Sequence, residues 1–337
     1  MKTMLVLSMG ALLLAGTLSA QTPVPEWQAG VDKVKTLIQS NPAQASEEAG
    51  ELLKGKNKKN VDLVTSVAHV YLDAGKITEA QEYLAMAKKA NNKDPKVSVL
   101  EGDIALAQKN IGQACQLYEQ AIYFDPNCKE AYLKYAQAYK SASPTQAIEK
   151  LEQLKAVDPN CLEADRELAE VYYSGNRFGK AVEMYTKFID TPLATEDDML
   201  KYAFALFLNH DFEKSLQVAQ KGLQKNARHA AFNRLVMYNN TDLKRYEDAE
   251  KAADAFFNAS DHADYSYLDY RYYGALLSAL KKYDKAIIEY GKALDKDNTQ
   301  VDLWREISDA HEMNNNYAEA IAAYRKYYDA LTKDKKT

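Results

Sequence analysis

Cysteine and histidine are the residues of this 337-residue sequence that could bind a metal ion or act as a nucleophile and its base. The three cysteines are Cys115, Cys128 and Cys161, and their spacing matches none of the paired patterns that hold zinc. The five histidines are scattered, and residues 261–264 (Asp-His-Ala-Asp) form their one local cluster with acids. That spacing is not a metal-binding pattern on a helix face, so we expect a surface loop there and no metal site.

Motifs that carry catalysis by other routes are also missing from the sequence. It contains no nucleophile elbow, no phosphate-binding loop and no paired-glycine dinucleotide turn. A net charge of -5 argues against nucleic acid as a partner, although residues 54–59 form a short basic run. We therefore expect no enzyme activity, no cofactor and no nucleic-acid partner.

The pattern that organises the chain is a repeat of about 34 residues. One small residue recurs at steps of 33 to 37 residues from the start of the chain to its end. The series is Ser46, Ala80, Ala114, Ala147, Ala181, Ser215, Ala249, Ala286 and Ala320. Small side chains at a fixed step are typical of two helices that cross closely, and large residues three or four positions away fill the space around each crossing. A single helix pair cannot bury its apolar face alone, so consecutive pairs must stack.

The repeat resembles the tetratricopeptide repeat family, whose unit is a helix, a turn and a second helix. The residues that carry the resemblance best are Gly102, Ala114, Tyr118, Ala121 and Pro126. The resemblance implies an all-α fold, a right-handed α-solenoid of about nine helix-turn-helix repeats. The expected repeats are about 27–60, 61–94, 95–128, 129–161, 162–195, 196–229, 230–266, 267–300 and 301–334, and we number them one to nine.

The segments outside the repeats predict where the protein works. Residues 1–20 contain one charge, an apolar run of about 12 residues and small residues before Gln21, which is typical of a cleaved signal peptide. The run is shorter than the roughly 20 residues needed to span a bilayer. No cysteine stands directly after the expected cleavage site, so we expect no lipid anchor. We expect an extended segment at 21–26, a short tail at 335–337, no transmembrane anchor, and a periplasmic or secreted bacterial protein.

Tyrosine is abundant, with 24 residues, and it allows two interpretations. The tyrosines could form a carbohydrate-binding surface, or they could pack the core. Sixteen of them fall on repeat core positions, among them Tyr118, Tyr185, Tyr290, Tyr317 and Tyr324. The sequence therefore favours packing for most of them.

The resemblance also implies a binding face. In this family the first helices of the repeats line a groove that holds peptides, and positions five, nine and twelve of each repeat point into it. The candidates for peptide binding in this chain are Arg166, Glu170, Tyr173, Phe204, Phe207, Arg234, Tyr238 and Arg271. The same positions also contain Leu200, Thr241, Ala275 and Ser278. We expect Phe204 and Phe207 to form an apolar floor outside the shared core, flanked by the charged candidates.

The sequence thus predicts a non-enzymatic scaffold or adaptor of the cell envelope that binds a protein or peptide in its groove. Two alternatives remain open at this point. The groove aromatics could bind a glycan or the cell wall, or the chain could be a regulatory subunit of an envelope enzyme. The sequence does not fix the partner or the oligomeric state.

Overall fold

The structure, a computed structural model, describes residues 24–261 and 263–333. The signal peptide expected at 1–20, the first three residues of the expected extended segment and the tail at 335–337 lie outside these described residues, as does His262. Within them every named element is a helix, and the expectation of an all-α fold of repeated helix pairs is confirmed.

Eighteen α-helices follow one another as nine pairs over the described residues. They are α1 (Gln28–Ser40), α2 (Pro42–Leu52), α3 (Val61–Asp73), α4 (Ile77–Asn91), α5 (Pro95–Ala107), α6 (Ile111–Phe124), α7 (Lys129–Tyr139), α8 (Pro144–Val157), α9 (Leu162–Ser174), α10 (Phe178–Phe188), α11 (Glu196–Leu208), α12 (Phe212–Lys225), α13 (Ala230–Asp242), α14 (Tyr246–Asp254), α15 (Tyr267–Ala279), α16 (Tyr283–Lys296), α17 (Asp302–Met313) and α18 (Tyr317–Lys333). A short 3-10 helix, Gly55–Lys59, follows α2.

The same backbone turn joins the two helices in most pairs. A residue with positive φ, between 56° and 75°, stands two positions before the second helix in seven of the nine pairs. These residues are Gly75, Lys109, Asn176, His210, Lys244, Lys281 and Asn315. Six of them are not glycine, although the left-handed region costs other residues about 1 kcal/mol or more. The packing of the two helices must therefore hold the turn in place.

The helix pairs belong to two compact units, one ending at Phe124 and the other beginning at Asp125. The first contains α1–α6, and its core is built around Val34, Leu63, Ala68 and Leu100, which are all inaccessible to solvent. The second contains α7–α18 and all of the candidate binding residues.

Glycine and a tyrosine ring meet where the helices of a pair cross. A Cβ atom on Gly274 of α15 would lie 2.6 Å from the ring of Tyr290 on α16. In the first compact unit, Gly102 of α5 stands in the same relation to Tyr118 of α6, at 2.5 Å. Tyr118 and Tyr290 are buried, as expected for core tyrosines. The small residue of the repeat thus allows the close approach that the sequence pattern predicts.

The seventh repeat is about three residues longer than the others, and its extra length lies after its second helix. The chain continues from α14 into one turn of π-helix, Ala255–Ala259, before the segment that leads to α15. Phe256 in this turn is fully buried, and the ring of Phe257 stacks on Tyr273 at 5.1 Å. The backbone N–H of Asp261 donates to the carbonyl of Arg228 at 2.9 Å. The added segment is therefore packed against its own pair rather than left as a loop.

Across residues 24–261 and 263–333, no helix has the length and apolar character needed to cross a membrane.

Candidate functional site

Two of the candidate arginines are held by buried carboxylates of the next helix pair. Arg166 of α9 donates from Nε to Asp198 of α11 at 3.0 Å. Arg234 of α13 donates from Nε and from a terminal nitrogen to Asp269 of α15, at 2.7 and 3.2 Å. Asp198 and Asp269 are both inaccessible to solvent. Each of the two arginine charges is therefore neutralised by a carboxylate of the protein itself.

The same two aspartates close the N-termini of their own helices. The side chain of Asp198 accepts the backbone N–H of Thr195 at 2.8 Å, and that of Asp269 accepts the N–H of Ser266 at 2.7 Å. In each helix the Ser or Thr side chain in turn accepts the N–H of the aspartate, which completes a capping box. One carboxylate thus caps a helix and ties it to the preceding pair.

Tyr238 is a core residue, whereas the sequence pattern places it on the binding face. It is 2% exposed, and its hydroxyl donates to Asp269 at 2.8 Å. Its ring stacks on Tyr272 with centroids 3.9 Å apart. Burial, followed by the Asp269 charge, raises the pKa of Tyr238 above its ordinary value. The residue that can meet a ligand here is Tyr272, which covers it.

Phe204 and Phe207 also differ from the sequence expectation, because they pack against core residues. Both are partly buried against the cluster that contains Phe232 and Leu235. The ring of Phe207 lies 5.7 Å from Tyr238 and 6.2 Å from Tyr272. They form the edge of the core and not a separate apolar floor, since neighbouring rings from α13 and α15 cover Phe207.

Glu170 and Tyr173 likewise have partners within the second compact unit. Glu170 accepts the Lys201 ammonium at 2.8 Å and the hydroxyl of Tyr185 at 3.3 Å. Tyr173 is half-buried, and its ring meets Phe178 edge-on at 5.9 Å. Desolvation raises the pKa of Tyr173 above that of a free phenol. These residues link neighbouring helices, and little of them is free for a ligand.

Arg271 lines an open cleft formed by the first helices of the last three pairs. The cleft has a volume of about 370 Å³. Its lining comes from α13, α15 and α17: Thr241, Asp242, Leu268, Arg271, Tyr272, Ala275 and Glu306. Arg271, Thr241 and Ala275 occupy positions that the sequence assigns to the groove. The structure thus brings Arg271 of the peptide-binding candidates, and two further groove positions, into a concave site.

The polar groups of this cleft are arranged in two pairs. Arg271 donates from Nε and a terminal nitrogen to the same oxygen of Glu306, at 2.9 and 2.6 Å. The hydroxyl of Tyr272 donates to Asp242 at 3.0 Å. Partial desolvation raises the pKa of Asp242 above its ordinary value, and the Tyr272 hydrogen bond opposes that shift. The second carboxylate oxygen of Glu306 is buried and has no hydrogen-bond partner among the described residues.

A buried carboxylate oxygen without a donor is costly, by about 1–3 kcal/mol. Because that oxygen is closed to solvent, the carboxylate that a bound N–H or ammonium group can reach is Asp242, an exposed residue of the lining. With Asp242, Glu306 and Arg271 in its lining, the cleft carries one more negative than positive charge. Leu268, the Tyr272 ring and Ala275 supply apolar surface beside these charges. The site therefore suits a polypeptide segment that presents an apolar side chain and a hydrogen-bond donor.

Four residues of the cleft were missed by sequence reasoning, namely Asp242, Leu268, Tyr272 and Glu306. They lie one position away from the groove register or one turn along the helix. Rotation by one residue on a helix is 100°, so a small error of register moves a side chain off the face. The signal that could have found Glu306 is its separation of 35 residues from Arg271, which is close to one repeat.

The described residues contain no group of three or more His, Cys, Asp or Glu side chains placed to hold a metal ion.

Comparison with known proteins finds similar solved structures and a matching family model. The structure is similar to PilF of Pseudomonas aeruginosa, with 14% identity and a TM-score of 0.49 over 61% of this chain and 96% of that one. It is also similar to a tetratricopeptide repeat protein of Parabacteroides merdae, with 15% identity and a TM-score of 0.45 over 74% and 98%. MamA of Desulfovibrio magneticus RS-1 matches with 14% identity and a TM-score of 0.46 over 51% and 96%. No curated protein matches the sequence.

The family model for the tetratricopeptide repeat matches three regions, residues 68–128, 137–192 and 274–335, which together make up more than half of the chain. These regions include helices from both compact units. With the helix pairs and the glycine–tyrosine crossings described above, the matches establish that the chain belongs to the tetratricopeptide repeat family.

Proposed function

We propose that this protein is a scaffold or adaptor that binds a segment of another protein in the cleft between α13, α15 and α17. The tetratricopeptide repeat fold is that of protein-interaction scaffolds, which supports the general function. The observation that carries the specific site is the cleft itself, where apolar surface lies beside the exposed Asp242 carboxylate and the Arg271–Glu306 pair. A bound segment with a lysine, an arginine or a free backbone N–H would donate to Asp242.

Filling the cleft without disturbing the core tests this function. Ala275 is exposed in the cleft, so Ala275→Trp adds bulk where the ligand would lie. We expect the variant to lose capture of the partner by at least about tenfold, the effect of losing one good contact. Ala29→Trp, at an exposed alanine of α1, is the matched control and should capture as well as the unmodified protein.

Capture would be measured with immobilised protein and a cell-envelope extract, by quantitative mass spectrometry. Circular dichroism of both variants checks that the helices are retained. Equal capture by the two tryptophan variants and the unmodified protein would place the binding site elsewhere.

The proposed location is the periplasm or the exterior of a bacterium, on the strength of the sequence of residues 1–20. Amino-terminal sequencing of the protein purified from an envelope fraction should read from Gln21. An uncleaved amino terminus in a cytoplasmic fraction would contradict both the cleavage and the location.

The two alternatives predict different outcomes in the same capture. Retention of the protein on insoluble cell wall, unaffected by Ala275→Trp, would support glycan binding. Capture of an enzyme whose activity then changes would support a regulatory subunit. The lining of the cleft favours a peptide, because the Tyr272 ring stacks on Tyr238 and so has one face fewer to offer a sugar.

A further inference from the structure

The last described helix, α18, carries a row of large side chains that remain exposed. We call this row the terminal stripe: Tyr317 (60% exposed), Ile321 (55%), Tyr324 (52%), Tyr328 (61%) and Leu331 (42%). Alternating steps of four and three residues keep them on one face of the helix. The sequence pattern places Tyr317 and Tyr324 in the core, and the structure corrects that expectation.

The preceding pair shows what normally covers such a stripe. One repeat earlier, α16 carries Tyr283, Ile287, Tyr290 and Leu294, which match the first four stripe positions at a shift of 34 residues. There the stripe is covered: Tyr290 is 4% exposed and shares a core cluster with Leu303 and Ile307 of α17. The equivalent side chains Ile287, Tyr290 and Leu294 are thus packed against the cluster that contains α17, whereas those on α18 are exposed.

An arginine of α17 also indicates that a further helix could pack here. Arg166, Arg234 and Arg271 each bind a carboxylate on the first helix of the following pair. Arg305 of α17 occupies the equivalent position, 34 residues after Arg271. It is exposed, and no carboxylate among the described residues lies within ion-pair distance of it. The position is therefore ready for an acidic residue from a helix that packs next to α17.

The surface between α17 and α18 has room for such a helix. An open groove of about 540 Å³ runs there, bounded by Ser308 and Glu312 on α17 and by the first three residues of the terminal stripe on α18.

The first helix of a second copy of this chain does not offer the apolar face that would cover the terminal stripe. The exposed residues of α1 are mostly polar, among them Asp32, Lys33 and Lys35, as in a terminal repeat that faces water.

We propose that α17 and α18 form a docking face for an amphipathic helix of another polypeptide, which packs as the first helix of a further pair. Its apolar residues cover the terminal stripe, and an acidic residue in its first or second turn pairs with Arg305. This face is separate from the cleft on α13, α15 and α17, and continues the packing that already joins α16 to α17.

A peptide taken from the protein itself is the probe for this face. Residues 297–314 contain α17, which covers the equivalent stripe on α16 and carries Glu306 for the arginine. A fluorescently labelled peptide of this sequence should bind the purified full chain saturably, as measured by anisotropy. Ile321→Ser should weaken binding by at least about tenfold, as expected for an interface anchor. Arg305→Gln should weaken it by about threefold at low salt and less at high salt, because the pair is exposed.

The matched control is Ile288→Ser on α16, since Ile288 is 58% exposed and lies outside the stripe. It should bind the peptide as the unmodified protein does. Because an isolated helix of this length is marginally stable, the peptide is also fused after Thr337 through a flexible linker. The fusion should raise the melting temperature, and Ile321→Ser should remove that gain.

Three results would overturn the proposal. The first is no saturable binding together with no gain from the fusion. The second is equal loss of binding in Ile321→Ser and Ile288→Ser. The third is light scattering that finds a dimer which Ile321→Ser converts to a monomer, since the stripe would then be covered by a second copy of the chain.

Discussion

At the residue scale, two arginines predicted to contact a ligand, Arg166 and Arg234, instead pair with carboxylates of the next helix pair. Their position in the repeat could be predicted from the sequence, because it follows from a step of about 34 residues. Their partners could not, because Asp198 and Asp269 lie 32 and 35 residues further on, and pairing depends on how two helices are rotated against each other. The Thr195 and Ser266 capping boxes place these carboxylates, and sequence reasoning overlooked both.

The structural role of Asp269 predicts a large loss of stability on its removal. Asp269→Ala leaves the buried Tyr238 hydroxyl without its acceptor, and leaves the partly buried Arg234 with only the Asp264 carbonyl. Breaking a buried pair in this way costs about 3–5 kcal/mol. Asp248→Ala is the control, because its pair with Lys251 is exposed and worth about 0–1 kcal/mol. Urea unfolding should separate the two, and similar losses would mean that Asp269 is not the buried link described here.

Tyr290 predicts a pH dependence on the alkaline side. Its burial raises the pKa of its phenol to about 12, against 10.0 for a free tyrosine. Between these values the unfolded chain releases a proton that the folded chain keeps, so stability falls as the pH rises from about 10 to about 12. In Tyr290→Phe that contribution is absent. Urea unfolding at about pH 9 and pH 11 should therefore find a steeper loss in the unmodified protein than in the variant, and identical losses would contradict the raised pKa.

At the scale of elements, the close crossing of two helices is what the sequence predicts best. Small residues at a fixed step and tyrosines at a second fixed step leave few other arrangements, and the Gly274–Tyr290 contact is one result. The π-helical turn at Ala255–Ala259 could not be predicted in the same way. Three added residues can be taken up by a loop, a longer helix or a bulge, and the choice depends on the packing of Phe256 and Phe257.

The crossing predicts opposite effects for two glycines of the same helix pair. Gly274→Ala places a Cβ 2.6 Å from the Tyr290 ring and should cost about 1–3 kcal/mol through overpacking. Gly291→Ala on α16 meets no atom within 4 Å, so it should stabilise the protein by about 0.5–1 kcal/mol through helix propensity. Thermal unfolding of both variants measures the difference. Stabilisation by Gly274→Ala would show that the helices do not cross there.

At the scale of the whole molecule, the fold was predictable and the lining of the cleft was only partly so. Nine copies of one pattern reinforce each other, so uncertainty in a single repeat does not change the fold class. The residues that line the cleft are harder to predict, because each of them depends on the exact rotation of one helix. Arg271 and Ala275 line the cleft, while Tyr238 lies inside the core and Tyr272, which stacks on it, lines the cleft instead.

Site-specific crosslinking in living cells would show whether the cleft on α13, α15 and α17 holds a polypeptide partner, as we propose. A photo-reactive amino acid at Ala275 lies in the cleft, and the same amino acid at exposed Lys285 lies on α16, which contributes nothing to the cleft lining. We expect a light-dependent adduct with one discrete polypeptide from position 275 and none from position 285. No adduct at position 275, or the same adducts at both positions, would contradict it.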